Sequence, residues 1–428
     1  MNKKLISKET ALVLPASSIG HRLFTLNLCR HIVLRRLAAL QDGVIEIEDG
    51  DDVFLVGRKE KNNLQAKIEV KNPMFYRAMV FGGSIGAGES YMRDEWSCSN
   101  LTDLIRLIVL NQDVLDTIDA GLAKITAPIY KLFHVRRKNT KNGSKKNISA
   151  HYDLGNNFYR LFLDESLAYS CGIFKDEQAS LHEASLEKFE RICKKLALSE
   201  DDHLLEIGTG WGGFAIYAAQ NYGCRVTTTT ISKEQHDHAE KRIKEAGLSG
   251  RIDLLFQDYR ELGGKFDKIV AIEMIEAVGH HFYQTFFKCC CDLLKPYGTM
   301  LVQAITIQDQ AYEQHKNTAD FISCYIFPGC CIPSITAMIQ ASTKASEMKL
   351  FHLEDITPHY AATLRIWRQN FLDRIDEVRD LGFSESFIKM WEFYLCYCEA
   401  GFAERYLGNV QMIFSKPGCR QSPILPNL

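Results

Sequence analysis

Gly208, Gly210 and Gly213 punctuate the stretch LLEIGTGWGGFAIYAA, residues 204–219. That spacing lets backbone approach a bound adenosine ligand closely, with the N-terminus of the helix FAIYAAQNY behind it. Alone, the pattern fits several ligands. A nicotinamide cofactor would also want an acid about 20 residues further on, closing the second strand to take a ribose. That strand, RVTTTTIS, ends without one. Two other acids favour S-adenosylmethionine instead. Glu206 stands two residues before the first glycine, and Asp258 closes the third strand in LLFQDYREL, where it can meet an adenine amino group. The chemistry read here is methyl donation.

A donor turn needs a sheet to carry it. From His151 onward, HLLEIG, RVTTTTI, RIDLLFQ, KIVAIEMI and TMLVQAITI recur at intervals that admit a helix between most of them. This rhythm predicts an α/β domain over 150–428, a doubly wound, mostly parallel, Rossmann-like sheet. The tail after about residue 312 reads as helix-rich, in SITAMIQASTKASEM, HYAATLRIWRQNFLDRIDEV and SFIKMWEFYLCYCEAGFAERYL. Ahead of the sheet, residues 1–135 read as a smaller α+β domain. It opens with the amphipathic segment LFTLNLCRHIVLRRLAAL and a hairpin, VIEIEDGDDVFLVG, turning at DGDD. The segment NPMFYRAMVFGGSIGAGESYM follows as a helix and a glycine-rich turn. Residues 136–149 form a polar, basic connector, either solvated or resting on an anionic membrane surface.

At 428 residues with net charge -2, the chain lacks the basic excess of a nucleic-acid binder. Its 14 cysteines fall in apolar clumps such as Cys289-Cys290-Cys291, without CxxC pairs. They are read as buried thiols in a reducing cytoplasm rather than as zinc ligands or disulfides. No apolar run approaches 18 residues, so no membrane-spanning helix is expected.

Seven motifs in order, HYDLGNNFYRLFLDESLAYSCGIF, LLEIGTGWGGFA, TTISKEQ, FQDYREL, IEMIEAVG, DFISCYIFPGCCIPS and YCEAGF, resemble the cyclopropane-fatty-acyl-phospholipid synthase family. The resemblance runs from about Lys71 to Pro417. It implies a class I methyltransferase fold with helical lipid-binding insertions. It also implies transfer of a methyl from S-adenosylmethionine to the cis double bond of an unsaturated phospholipid acyl chain, followed by proton loss and ring closure. Peripheral attachment to the membrane and a homodimer are further implications. An alkene is a poor nucleophile and attack leaves a carbocation, so such chemistry needs an oriented donor, a dry chamber and electron-rich aromatic faces. Tyr169, Phe174, Tyr325, Phe327, Tyr360, Trp367 and Phe371 can supply these, or simply pack the core.

By the same resemblance, donor contacts fall on Tyr169, Ser170, the turn of Glu206, Gly208, Thr209, Gly210 and Gly212, and on Thr230, Ile231, Gln235, Tyr259 and Arg260. The base is implied to be a bicarbonate ion held by Cys171, Glu276, Gln303, Ile305 and Tyr360. Gln303 departs from the family pattern, which has His there, so proton loss can instead leave a methylene- or methyl-branched chain. Cys398 aligns with a family cysteine considered catalytic, and is weighed here as structural because the chemistry calls for no thiolate.

Overall fold

The computed structural model describes residues 4–5, 18–59, 63–111 and 154–424. The basic connector 136–149 lies outside the described residues. The chain divides into two compact units, one of residues 1–133, 318–325 and 375–406, the other of 134–317, 326–374 and 407–428.

The first unit holds a five-stranded sheet in the order β1-β3-β2-β4-β5. These strands are β1 (Lys4–Leu5), β2 (Asp42–Asp49), β3 (Asp52–Lys59), β4 (Gln65–Val70) and β5 (Trp96–Cys98). The DGDD signal does make the β2–β3 hairpin, with Asp49 opposite Asp52. The expected glycine-rich turn does not form after a helix. Residues Met74–Met92 are one helix kinked at Gly83, whose φ of 55° only glycine adopts without strain. The helix Glu385–Ala403, read from sequence as catalytic tail, belongs to this first unit. There Glu399 accepts from Thr102 (3.2 Å) and Glu392 from Tyr91 (2.8 Å).

The second unit carries seven strands in the order β11-β12-β10-β9-β6-β7-β8. They are β6 (His203–Ile207), β7 (Arg225–Thr230), β8 (Ile252–Phe256), β9 (Phe266–Ile272), β10 (Leu294–Ile307), β11 (Lys349–Asp355) and β12 (Leu407–Ser415). The five strands expected from sequence are β6 to β10, and their pairings are parallel. The tail, read as helix-rich, also adds two strands, between and after the helices expected there. β12 inserts antiparallel between β10 and β11.

Both faces of this sheet are covered, which is why its strands read as apolar runs. Leu205, Ile269, Met300, Val302 and Met412 pack on one face, Leu204, Val226, Val270, Leu301 and Ile413 on the other. Alternation along each strand dictates that division. Among the described residues no helix is long and apolar enough to cross a membrane. The strand order reverses between β6 and β9, and the C-terminal edge at that switch point is where ligands bind in such sheets.

Candidate active site

The glycine turn leaves β6 at this edge. Gly208, Gly210 and Gly212 have φ of 96°, 53° and 86°. Their left-handed backbone aims the amides of Gly208 and Thr209 at the carbonyl of Thr229, both at 3.0 Å. A Cβ on Gly208 would come 3.2 Å from Met274 Cγ, while around Gly210 it would meet nothing within 4 Å. The turn is therefore tight on its inner side and open where a ligand would lie. Glu206 is buried beneath it and accepts from Thr228 Oγ1 at 2.6 Å. Burial pushes its carboxyl up to about 7.

The other donor-site expectations gather near by in the fold. Thr230, ending β7, donates its hydroxyl to Gln235 Oε1 at 2.9 Å, and Ile231 follows directly. Asp258, after β8, binds Arg260 through the backbone amide (3.0 Å) and the guanidinium (2.8 and 2.6 Å). An adenine contact from Asp258 has to share a carboxylate already held by arginine. The Arg260 guanidinium also lies 5.5 Å from the Tyr259 ring. Tyr169 sits 5.1 Å from Trp367 and 6.2 Å from Phe327, and Ser170 Oγ accepts from Lys188 Nζ at 2.7 Å. The open face of the turn and this polar rim fit S-adenosylmethionine. The open side of the turn at Gly210 and the Gln235 amide would hold its adenosine, and its sulfonium supplies an electrophilic methyl.

A second constellation forms around two carboxyls just past β9. Glu273 was not singled out in the sequence. Its Oε1 accepts from the Cys171 amide (3.0 Å), Gln303 Nε2 (2.9 Å) and Asn409 Nδ2 (2.7 Å), and its Oε2 from the Tyr360 hydroxyl (2.7 Å). Glu273 has φ of 48°, a left-handed conformation uncommon outside glycine. Its own amide is pinned to the Gln303 carbonyl at 2.8 Å. Each donor is placed by a different element: Gln303 by β10, Asn409 by β12, and Tyr360 by the helix Thr357–Asp373. That helix is in turn tied down where Thr357 Oγ1 accepts from the Asn409 amide (2.9 Å) and Thr363 Oγ1 from the Gly172 amide (3.1 Å).

The orientation of Gln303 follows from its neighbours. Gln411, directly opposite it on β12, donates to Gln303 Oε1 at 3.0 Å, and Lys195 donates to Gln411 Oε1 at 2.6 Å. Lys195 also pairs with Glu354, which Arg191 holds at 2.7 Å. A directed chain of donors thus ends on the Glu273 carboxylate. Gln303 and Gln411 are wholly buried, so each unmade bond would leave a desolvated polar group.

Glu276 stands apart from that knot. Its Oε1 accepts from the Ile305 amide at 2.5 Å, while Oε2 is buried without a hydrogen-bond partner among the described residues. Burial first, then the charge of Glu273, pushes its carboxyl up to about 8, so it holds a proton at neutral pH. Burial likewise raises the Cys171 thiol, whose Sγ donates to the Gly172 carbonyl at 3.2 Å. Lys188 is fully buried, and its ammonium is depressed by that burial while Glu273 and Asp164 oppose the shift.

The five residues expected to hold an exchangeable anion therefore come together, but around carboxyls of the chain. Cys171, Gln303 and Tyr360 serve Glu273, and Ile305 serves Glu276. Bicarbonate does not fit this donor set, because its donors are already turned onto Glu273 and a second anion would lie beside that carboxylate. Cys398 is not among these donors. It stands on the helix Glu385–Ala403 of the first unit, and burial raises its thiol, so it offers no thiolate. Tyr325 also belongs to the first unit, with its hydroxyl on Glu89 at 2.5 Å. Phe174 lies against His359 (6.3 Å) and Phe371 against Phe158 (6.2 Å), so of the expected aromatics Tyr169, Phe327, Tyr360 and Trp367 form one wall.

Comparison with known proteins agrees with this architecture. Residues 139–412 match the mycolic acid cyclopropane synthetase family. The chain is 36% identical to the cyclopropane-fatty-acyl-phospholipid synthase of Escherichia coli strain K12, over 82% of this chain and 88% of that protein. It is equally 36% identical to the tuberculostearic acid methyltransferase of Mycobacterium tuberculosis, over 78% and 80%. Among solved structures, the cyclopropane synthase MmaA2 from M. tuberculosis aligns with a TM-score of 0.60 at 31% identity, covering 64% of this chain and 98% of that one. The mycolic acid cyclopropane synthase CmaA1 complexed with SAH and CTAB aligns with a TM-score of 0.60 at 29% identity, over the same shares of the two chains. With its donor turn, its inserted antiparallel strand and these likenesses, the chain belongs to the mycolic acid cyclopropane synthetase family and is an S-adenosylmethionine-dependent methyltransferase.

Proposed function

We propose that this protein transfers a methyl carbon from S-adenosylmethionine to the cis double bond of an unsaturated phospholipid acyl chain and closes a cyclopropane ring. The observation that carries the reading is the juxtaposition of donor turn and carboxylate knot. Met274 lies against Gly208, and its neighbour Glu273 holds a carboxylate on the Tyr360 hydroxyl, whose ring meets that of Trp367 at 89° and 6.1 Å. The olefin's π electrons take the methyl, leaving a cation on the other carbon. The aromatic wall faces that cation without offering a nucleophile to trap it. A carboxylate at the wall's edge can then remove a proton. Incubating purified protein with labelled donor and monounsaturated phosphatidylglycerol vesicles, then analysing the chains by mass spectrometry and NMR, tests the reading. Ring protons support it, and absence of donor consumption ends it.

A second reading, a methylene- or methyl-branched product, is favoured by one observation: Gln303 stands where a histidine is expected. The same spectra separate the two, because an exocyclic methylene carries olefinic protons and a ring does not. We further propose that the protein docks peripherally on anionic membranes as a homodimer. The cluster Arg136, Arg137, Lys138, Lys141, Lys145 and Lys146 supports the docking, at ~1 kcal/mol per cation near such a surface. Replacing Lys141, Lys145 and Lys146 by Gln should weaken co-sedimentation with anionic vesicles, and light scattering reads the dimer.

A further inference from the structure

We propose that Glu273 is the base of this reaction, a carboxylate built into the chain where a dissolved bicarbonate would otherwise be recruited. The inference rests on the function proposed above and names the group that completes it. Four donors from four segments of the chain converge on this one side chain: the Cys171 amide, Gln303, Asn409 and Tyr360. Three of them are residues through which the family resemblance expects an anion to be held. A covalently delivered carboxylate meets the same donors without the entropy loss of capturing a free ion, and it needs no cationic histidine to attract it. The presence of neutral Gln303 is thereby explained.

The backbone supports the assignment independently. A glutamate is held at φ 48° immediately after β9, in a conformation that glycine would adopt freely. Strain of this kind persists where surrounding structure over-determines it, as the bond from the Glu273 amide to the Gln303 carbonyl does here. The two oxygens are also unequal. Among the described residues Oε1 has three donors and Oε2 only Tyr360, so Oε2 retains acceptor capacity on the side of the aromatic wall. The competing groups are poorer bases. Glu276 is buried and already protonated at neutral pH, and the Cys171 thiol is raised and turned onto Gly172.

The step balances. The S–CH₃ bond of the donor breaks as a C–C bond forms from the olefin's π pair, giving S-adenosylhomocysteine and a carbocation. Glu273 then takes one proton from the newly attached carbon. The C–H electron pair closes the three-membered ring onto the cation, and the protonated Glu273 later releases its proton to solvent.

The test uses the full chain in carbon-dioxide-depleted buffer with labelled donor and monounsaturated phospholipid vesicles. Wild-type turnover should be unchanged within twofold on adding bicarbonate, and the ¹³C-bicarbonate NMR signal should show no broadening by the protein. Glu273→Gln should lower turnover about 100-fold or more while donor affinity by calorimetry changes less than threefold. Glu273→Gly, which relieves the backbone and empties the position, should broaden the ¹³C-bicarbonate signal and regain turnover as bicarbonate or formate is titrated in. Wild-type turnover that requires bicarbonate would overturn the inference, and so would a Glu273→Gln variant of full activity with donor binding intact. Wild-type protein that moves no methyl to lipid, with or without bicarbonate, refutes the proposed function itself. If Glu273→Gly does not fold, the near-isosteric Glu273→Gln and the wild-type bicarbonate response still decide the matter.

Discussion

Glu276→Gln should flatten the dependence of stability on pH, and its size follows from the carboxyl's surroundings. In the unfolded chain Glu276 ionises near 4.5, whereas in the folded protein it keeps its proton up to about 8. Below pH 4.5 both states are protonated and the group is neutral toward folding. Between 4.5 and about 8 the folded state binds the extra proton, so stability falls as pH rises, by ~1.4 kcal/mol per pH unit. Above about 8 the loss is complete, about 5 kcal/mol at most, with relaxation of the site reducing it. From pH 5.5 to 7.5 the wild type should lose about 2.7 kcal/mol through this residue, or roughly 5–10 °C in melting temperature for a unit of this size. Glutamine keeps an oxygen for the Ile305 amide and cannot ionise, so the variant should hold its melting temperature over that interval. Glu206, raised to about 7, adds a slope of the same sign in both proteins and cancels in the difference. Differential scanning fluorimetry at half-unit steps is sufficient. Parallel wild-type and variant curves would show that Glu276 is not buried and protonated as described.

Other substitutions probe the remaining parts of the site. Gly208→Val places a β-branched side chain at φ 96° with its Cβ 3.2 Å from Met274, and should weaken donor binding about 100-fold or more by calorimetry. Gln411→Leu removes the donor that orients Gln303 and the acceptor of Lys195. It should destabilise the protein by about 1–3 kcal/mol and lower turnover roughly tenfold with donor affinity unchanged. Cys398→Ala should leave turnover within twofold of wild type, since burial keeps its thiol protonated; a large loss in the lipid assay would restore it as a candidate.

The donor half of the site was legible because its signal is local. A strand, a glycine turn and a helix occupy consecutive positions; Gly208 and Gly210 answer to positive φ, while Gly213 answers to the Ser166 carbonyl, 2.7 Å from where its Cβ would lie. The carboxylate half was not. Glu273 lies three residues before Glu276 in the quoted motif IEMIEAVG, yet nothing in that string tells which acid faces the cleft. The answer depends on a left-handed turn at Glu273 and on donors drawn from residues 171, 303, 360 and 409. Asn409 and Gln411 offered a faint clue, two amides spaced by two within the apolar run LGNVQMIF. That run lies beyond the last helical segment read from the sequence, so β12 goes unassigned there, and with it the alternation that turns both amides to one face. The misplaced helix Glu385–Ala403 has a similar cause. Its apolar face identifies a partner surface but not which of two units provides it.

β12 enters between β10 and β11, two strands separated by more than forty residues of chain, and the knot draws on it twice. Until it docks, Glu273 lacks Asn409, and Gln303 lacks the amide that sets its direction. A chain whose β12 is displaced would keep the turn for the sulfonium reagent yet lose the donors that fix its proton acceptor. Proton removal therefore depends on the C-terminal strand of the sheet, whereas the donor turn, built on β6 and β7, does not.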